Sequence, residues 1–157
     1  MHADSFDTPL FGLPDPERDQ QFYDGVPLRR FVAWCVDVLI VLLVAVPLAT
    51  VFGLVTLGVG FAIFPLIVAG VGFLYRTWTL AGGSATWGMR FTGIEFRRGN
   101  GERFDFMTAF LHTAIYAVCI GTFVLQALSC LTILGTRHRQ SIADIILGTT
   151  AINRPAD

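Results

Sequence analysis

VLIVLLVAVPLATVFGLVTLGVGFAIFPLIVAGVGFLY, residues 38–75, contains no charged side chain. A helix crosses the roughly 30 Å hydrocarbon core of a bilayer with about 20 apolar residues, so this stretch holds two crossings and a short turn. A second stretch, residues 106–136, is also free of Asp, Glu, Lys and Arg. The 157-residue chain is 54% hydrophobic and 15% charged, with a mean hydropathy of +0.62. A soluble domain carries about 25% charged residues, and one of this length could not cover so much continuous apolar surface. The chain therefore reads as an all-α integral membrane protein. The alternating ten-residue strands of an outer-membrane barrel are absent, which excludes such a barrel; the expected location is a bacterial inner (plasma) membrane.

Working outward, Arg29 and Arg30 stand just before the first apolar run. Basic residues stay on the cytoplasmic side of a membrane, so the N-terminus is expected inside. The first crossing is expected over residues 28–52, with Pro47 placed to kink it. The second is expected over 60–78, with Tyr75, Arg76 and Trp78 marking its interfacial end. Gly70 and Gly72 would allow close helix contact. Residues 79–105 carry Arg90, Arg97, Arg98 and Arg103 and read as a cytoplasmic loop. Within it, residues 89–96 have strand character, Asn100-Gly101 is a turn signal, and 103–106 would return as a second strand, giving a small cytoplasmic β-hairpin.

The run at 106–134 is long for one crossing and short for two. Gly121, near its middle, could mark a bend. The basic residues Arg137 and Arg139 follow it. One crossing would leave them outside, whereas a bent helical hairpin would return them to the cytoplasm; both arrangements stand at this point. Ser141 and Asp144 have capping-box spacing and open a short C-terminal amphipathic helix. Gly148 ends that helix, residues 149–153 look like a strand, and 154–157 are a tail.

Residues 1–26 contain Asp4, Asp7, Asp15, Glu17, Asp19 and Asp24 against Arg18, and Pro9, Pro14 and Pro16. They read as a disordered acidic tail, with Phe11, Phe22 and Tyr23 available to touch the membrane interface. No basic-then-apolar signal peptide precedes the first run, which would serve as an uncleaved anchor.

Few polar groups lie inside the apolar runs. A carboxylate such as Asp37 costs about 2.5–3.5 kcal/mol at mid-helix on insertion scales, so it must face protein or water. It is either an ion or proton site or a clamp that fixes helix packing. Arg30 is seven residues earlier on nearly the same face, about 10 Å away along the axis, so a shared network needs another partner. His112 has a side chain suited to proton relay, with an unperturbed pKa of about 6.5, or serves as an interfacial hydrogen-bonding group. Cys35, Cys119 and Cys130 lie in apolar segments with no metal or redox spacing and read as small buried hydrophobes. The chain shows no H-E-x-x-H, G-x-S-x-G or phosphate-loop motif. No enzyme activity, cofactor or metal is therefore expected, and no basic run suggests nucleic acid.

Three strings resemble the RDD family of small membrane proteins: RRFVAWCVD (29–37), SATWGMRFTGIEF (84–96) and ADIILGTTAI (143–152). Their order and placement between apolar runs make the resemblance more specific than any one of them. It implies an RDD-like membrane domain over 27–153, with Arg30, Asp37 and Asp144 as the arginine and two aspartates of the family name. The sequence departs from it at Ala143, where many members carry histidine. A few members are associated with cation/proton antiport and others resemble accessory subunits.

The resemblance requires Asp144 on the same side as Arg30 and Asp37, which favours the bent hairpin, and it allows the segments after Gly93 and Gly148 to pair in one sheet. On this reading Asp37 would bind a proton or monovalent cation, Arg30 would favour its charged form, and Asp144 would complete the site. The alternative is a non-transporting membrane scaffold or accessory subunit in which the three residues are a structural clamp. The expected partners are the lipid bilayer and either further copies of the chain or another membrane protein.

Overall fold

The computed structural model describes residues 10–155; the portions of the expected tails at 1–9 and 156–157 lie outside the described residues. Among the described residues there are six α-helices and two strands. Helix α1 (Val26–Val55) and α2 (Phe64–Gly83) are joined by a 3-10 turn, Val59–Ile63. Helix α3 (Trp87–Thr92) and strand β1 (Ile94–Arg98) follow, then α4 (Phe106–Gly121), α5 (Phe123–Gly135), α6 (Ile142–Leu147) and β2 (Thr149–Asn153).

Two segments, Gln20–Val55 and Val59–Gly83, are long and apolar enough to cross a membrane. Their lengths follow from composition. α1 has 30 residues, or about 45 Å at 1.5 Å per residue, with Pro47 inside it and no break. Leu43, Leu54 and Val55 on it are more than two-thirds exposed (76%, 68% and 76%), as befits a surface solvated by lipid rather than water.

The run at 106–134 resolves into two helices. The chain direction bends by 117° between α4 and α5, across Thr122, whose φ of −125° and ψ of 107° are extended. The bend falls beside Gly121. With 16 and 13 residues, the two helices reach about 24 and 20 Å. Each is shorter than a hydrocarbon core of about 30 Å.

The conventional core lies at one end of the bundle. Val26 and Ala33 of α1, Leu80 of α2, Met89 of α3, Ile94 and Phe96 of β1, Ala109 of α4 and Ala151 of β2 pack there. The start of α1, the end of α2, the start of α4 and all of α3, α6 and the sheet therefore share that end.

The expected β-hairpin is not formed. Residues 87–92 are helical because Thr86 caps them, its side chain accepting from Met89 N. Strand character takes over only after Gly93, whose φ is +74°. β1 then pairs antiparallel with β2, from Ile94 opposite Asn153 to Arg98 opposite Thr149, and 103–106 form no strand. Residues 10–25 also differ from the expected disordered tail. Gly12 N donates to Gly99 O (2.9 Å), Tyr23 OH to Pro14 O (2.8 Å), and Asn153 Nδ2 to Gln21 O (2.8 Å). Tyr23 is buried, while Phe11 is exposed. Cys119 is buried, but Cys130 is exposed on α5.

Candidate functional site

The four expected polar residues form two sites rather than one. The first centres on Asp144, which is fully buried. Its position follows from a local rule. Ser141 caps α6 and accepts from Asp144 N, while the Asp144 carboxylate accepts back from Ser141 N (2.9 Å) and Ser141 Oγ (2.8 Å), completing a capping box. Gly148, with φ +61°, ends the helix and turns the chain so that Thr149 Oγ1 donates to Asp144 Oδ1 at 3.0 Å.

Two distant helices complete this site. Arg30 Nη2 on α1 donates to Asp144 Oδ2 at 2.7 Å. His112 Nε2 on α4 lies 2.9 Å from Asp144 Oδ1. His112 is 1% exposed and sits against the rings of Phe96 and Phe104, at centroid distances of 4.6 and 5.5 Å. Arg30 also lies over the Phe96 ring, 5.2 Å from its centroid. Burial pushes the Asp144 carboxyl up. The Arg30 guanidinium, His112 and the Ser141 backbone override that and hold it well below the usual carboxylate range. Asp144 is thus a fixed anion with both oxygens occupied.

The second site centres on Asp37, which is 9% exposed. Its Oδ1 accepts from Tyr75 OH (2.6 Å) and Gly88 N (2.9 Å), and its Oδ2 from Thr86 Oγ1 (2.6 Å). These bonds tie α1 to the end of α2 and to the first turn of α3. Trp87 N donates to Tyr75 OH at 3.1 Å, closing the ring of contacts. Asp37 bonds to neither Arg30 nor Asp144, so the expected three-residue cluster divides. The seven-residue spacing does put Arg30 and Asp37 on similar faces. However, Arg30 reaches towards α6 and Asp37 towards α3.

Sequence reasoning missed Tyr75 and Thr86 as partners of Asp37. Their hydroxyls carry no distinguishing pattern, and the third donor is a backbone N–H. It also missed Arg76. That side chain lies over the Tyr116 ring, 4.1 Å from its centroid, and among the described residues no carboxylate forms a salt bridge with it.

The family model described as RDD family matches residues 25–148, most of the chain. No curated protein and no solved structure matches.

Proposed function

The chain belongs to the RDD family, and from that premise we propose that it is a non-transporting membrane scaffold or accessory subunit, built around two carboxylate clamps. One observation carries this reading: Asp144 accepts five hydrogen bonds, from Arg30, His112, Ser141 N, Ser141 Oγ and Thr149. A carboxylate so saturated has no lone pair to offer a cation. Held ionised, it does not exchange a proton near neutral pH. It joins α1, α4, α6 and β2, the function of a fastener. Asp37 does the same for α1, α2 and α3.

In this reading the end that carries the clamps is cytoplasmic, as is the N-terminus. Arg29, Arg30, Arg90, Arg97, Arg98 and Arg103 support that orientation. α1 and α2 cross a bacterial-type inner membrane, and α4 and α5 enter it and return. The apolar outer surface would meet lipid, further copies of the chain, or the membrane subunit it assists.

A second reading, cation- or proton-coupled transport through Asp37, has one observation in its favour. Asp37 and Tyr75 border a cleft of about 340 Å³ between α1, α2 and α4. Reconstitution into liposomes separates the readings. With Na⁺, Li⁺ or K⁺ gradients and a pH-reporting dye inside, the scaffold predicts flux no greater than in protein-free liposomes. Flux that Asp37→Asn abolishes would establish transport instead.

A further inference from the structure

The cleft beside Asp37 has features that neither clamp uses. Its volume of about 340 Å³ falls within the usual range for small-molecule sites. The walls are apolar, including Val38, Leu42, Ala69, Phe73, Ala117 and Ile120. Polar side chains lie among them: Trp34, Asp37 and Tyr75, and also Arg76, Thr113 and Tyr116, which take no part in either clamp. Thr113 is 1% exposed and its Oγ1 has no hydrogen-bond partner. A buried hydroxyl without a partner costs free energy. Arg76 Nε is also buried and unpartnered. Tyr116 OH accepts from Trp34 Nε1 at 3.0 Å, which leaves its own O–H to donate.

The donors not committed to a clamp are therefore one guanidinium and two hydroxyls, and most of the remaining wall is hydrocarbon. The Asp37 carboxylate also lines the cleft, but it has its own hydrogen-bond partners. Asp37 bonds to Tyr75, Thr86 and Gly88, so its oxygens are engaged towards α3. Guanidinium beside hydroxyls suits a phosphate. An apolar slot between helices suits an acyl chain. Because α4 stops at Gly121 while α1 and α2 run on, the slot lies where lipid would stand beside a membrane-crossing helix pair.

We propose that this cleft holds one anionic phospholipid taken from the surrounding bilayer, with its phosphate on Arg76, Thr113 and Tyr116 and an acyl chain between α1, α2 and α4. The site goes beyond the clamp reading and does not depend on it, since the phosphate is placed on Arg76, Thr113 and Tyr116, none of which bonds to Asp37 or Asp144.

Native mass spectrometry of the full chain in detergent tests the proposal, with dioleoylphosphatidylglycerol and dioleoylphosphatidylcholine added at equal mole fraction. One phosphatidylglycerol per chain should be retained, about fivefold over phosphatidylcholine, the weight one basic side chain carries towards an anionic headgroup. Arg76→Gln should abolish the preference and Arg76→Lys should keep most of it. Ala117→Phe, which fills the slot, should lose retention of both lipids. Equal retention of the two lipids by the unaltered chain overturns the proposal. So does a preference unchanged in Arg76→Gln. If that variant does not stay monodisperse, unchanged retention by Ala117→Phe overturns it and loss of retention supports it.

Discussion

Asp144 is surrounded by donors of two kinds, and they respond differently to substitution. His112 can change tautomer and Thr149 can rotate its hydroxyl, so both can face an amide. Arg30 and the Ser141 N–H can only donate. Asp144→Asn can therefore keep an oxygen towards Arg30 and Ser141, and it loses mainly the charge that neutralises the guanidinium. Asp144→Ala orphans every donor. The expected order of thermal stability in detergent is unaltered chain, then Asp144→Asn, then Asp144→Ala, the last costing about 3–5 kcal/mol.

The pH dependence has a definite sign. Asp144 has a depressed folded pKa, so its contribution is full above the unfolded carboxylate value of about 3.9 and fades as pH falls towards the folded value. The stability gap between the unaltered chain and Asp144→Asn should stay constant from pH 7 to 5 and narrow below about pH 4. A gap that changes between pH 7 and 6 would mean that Asp144, or the His112 bonded to it, titrates in the range a proton carrier needs.

The family resemblance grouped Arg30 with both aspartates but paired it with Asp37, whereas its bond goes to Asp144; the Ser141 cap was legible through spacing alone. The place of Asp37 was not. Helical periodicity gives the face a side chain leaves from, but not which of several polar neighbours it reaches.

At the level of elements, the joint between α1 and α3 rests on Gly88. A Cβ there would meet Ala33 O at 2.2 Å and Asp37 Oδ1 at 2.7 Å. Backbone cannot yield as a flexible side chain would, so Gly88→Ala must push α3 away from α1 and break the Gly88 N–H bond to Asp37. At Gly70 in α2 an added Cβ meets nothing within 4 Å, and alanine is about 0.8–1.0 kcal/mol better than glycine inside a helix. Gly88→Ala should lower the melting temperature sharply, and Gly70→Ala should leave it equal or raise it. Equal losses in the two would show that the α1–α3 contact is not tight.

This joint explains why residues 89–92, read as the start of a strand over 89–96, are helical. The aromatic and β-branched residues there favour extended chain, but a cap at Thr86 and a docking surface on α1 prevail. The hairpin failed for a related reason, while the pairing of the segments after Gly93 and Gly148 that the family resemblance allowed is the one formed. Asn100-Gly101 does form a turn, yet β1 finds its partner some fifty residues later, and short-range turn signals carry no information about that. The ordered segment before α1 is a third case. Gly12 packs so closely on the loop that a Cβ would lie 2.0 Å from Asn100 C, a contact hidden in a stretch that reads as acidic leader.

At the scale of the whole molecule, the number of membrane passages follows from lengths and from the clamp. The salt bridge between Arg30 and Asp144 holds the start of α1 and the C-terminal helix at the same end, so the chain between them must pass the bilayer an even number of times. α1 and α2 account for two passages. α4 and α5 return to the same end, and at about 24 and 20 Å they turn back before a core of about 30 Å is crossed. Reporters fused before Met1 and after Asp157 should therefore report the same side, the cytoplasmic one under the orientation proposed from the arginine-rich end. With Cys35, Cys119 and Cys130 replaced by alanine, a Thr122→Cys label site should be closed to membrane-impermeant thiol reagents from either side. Labelling of Thr122→Cys from outside would mean that α4 and α5 span a thinned bilayer as two full crossings. An external C-terminus would mean that the two helices straighten into one crossing, and that the Arg30–Asp144 bridge cannot exist in the membrane.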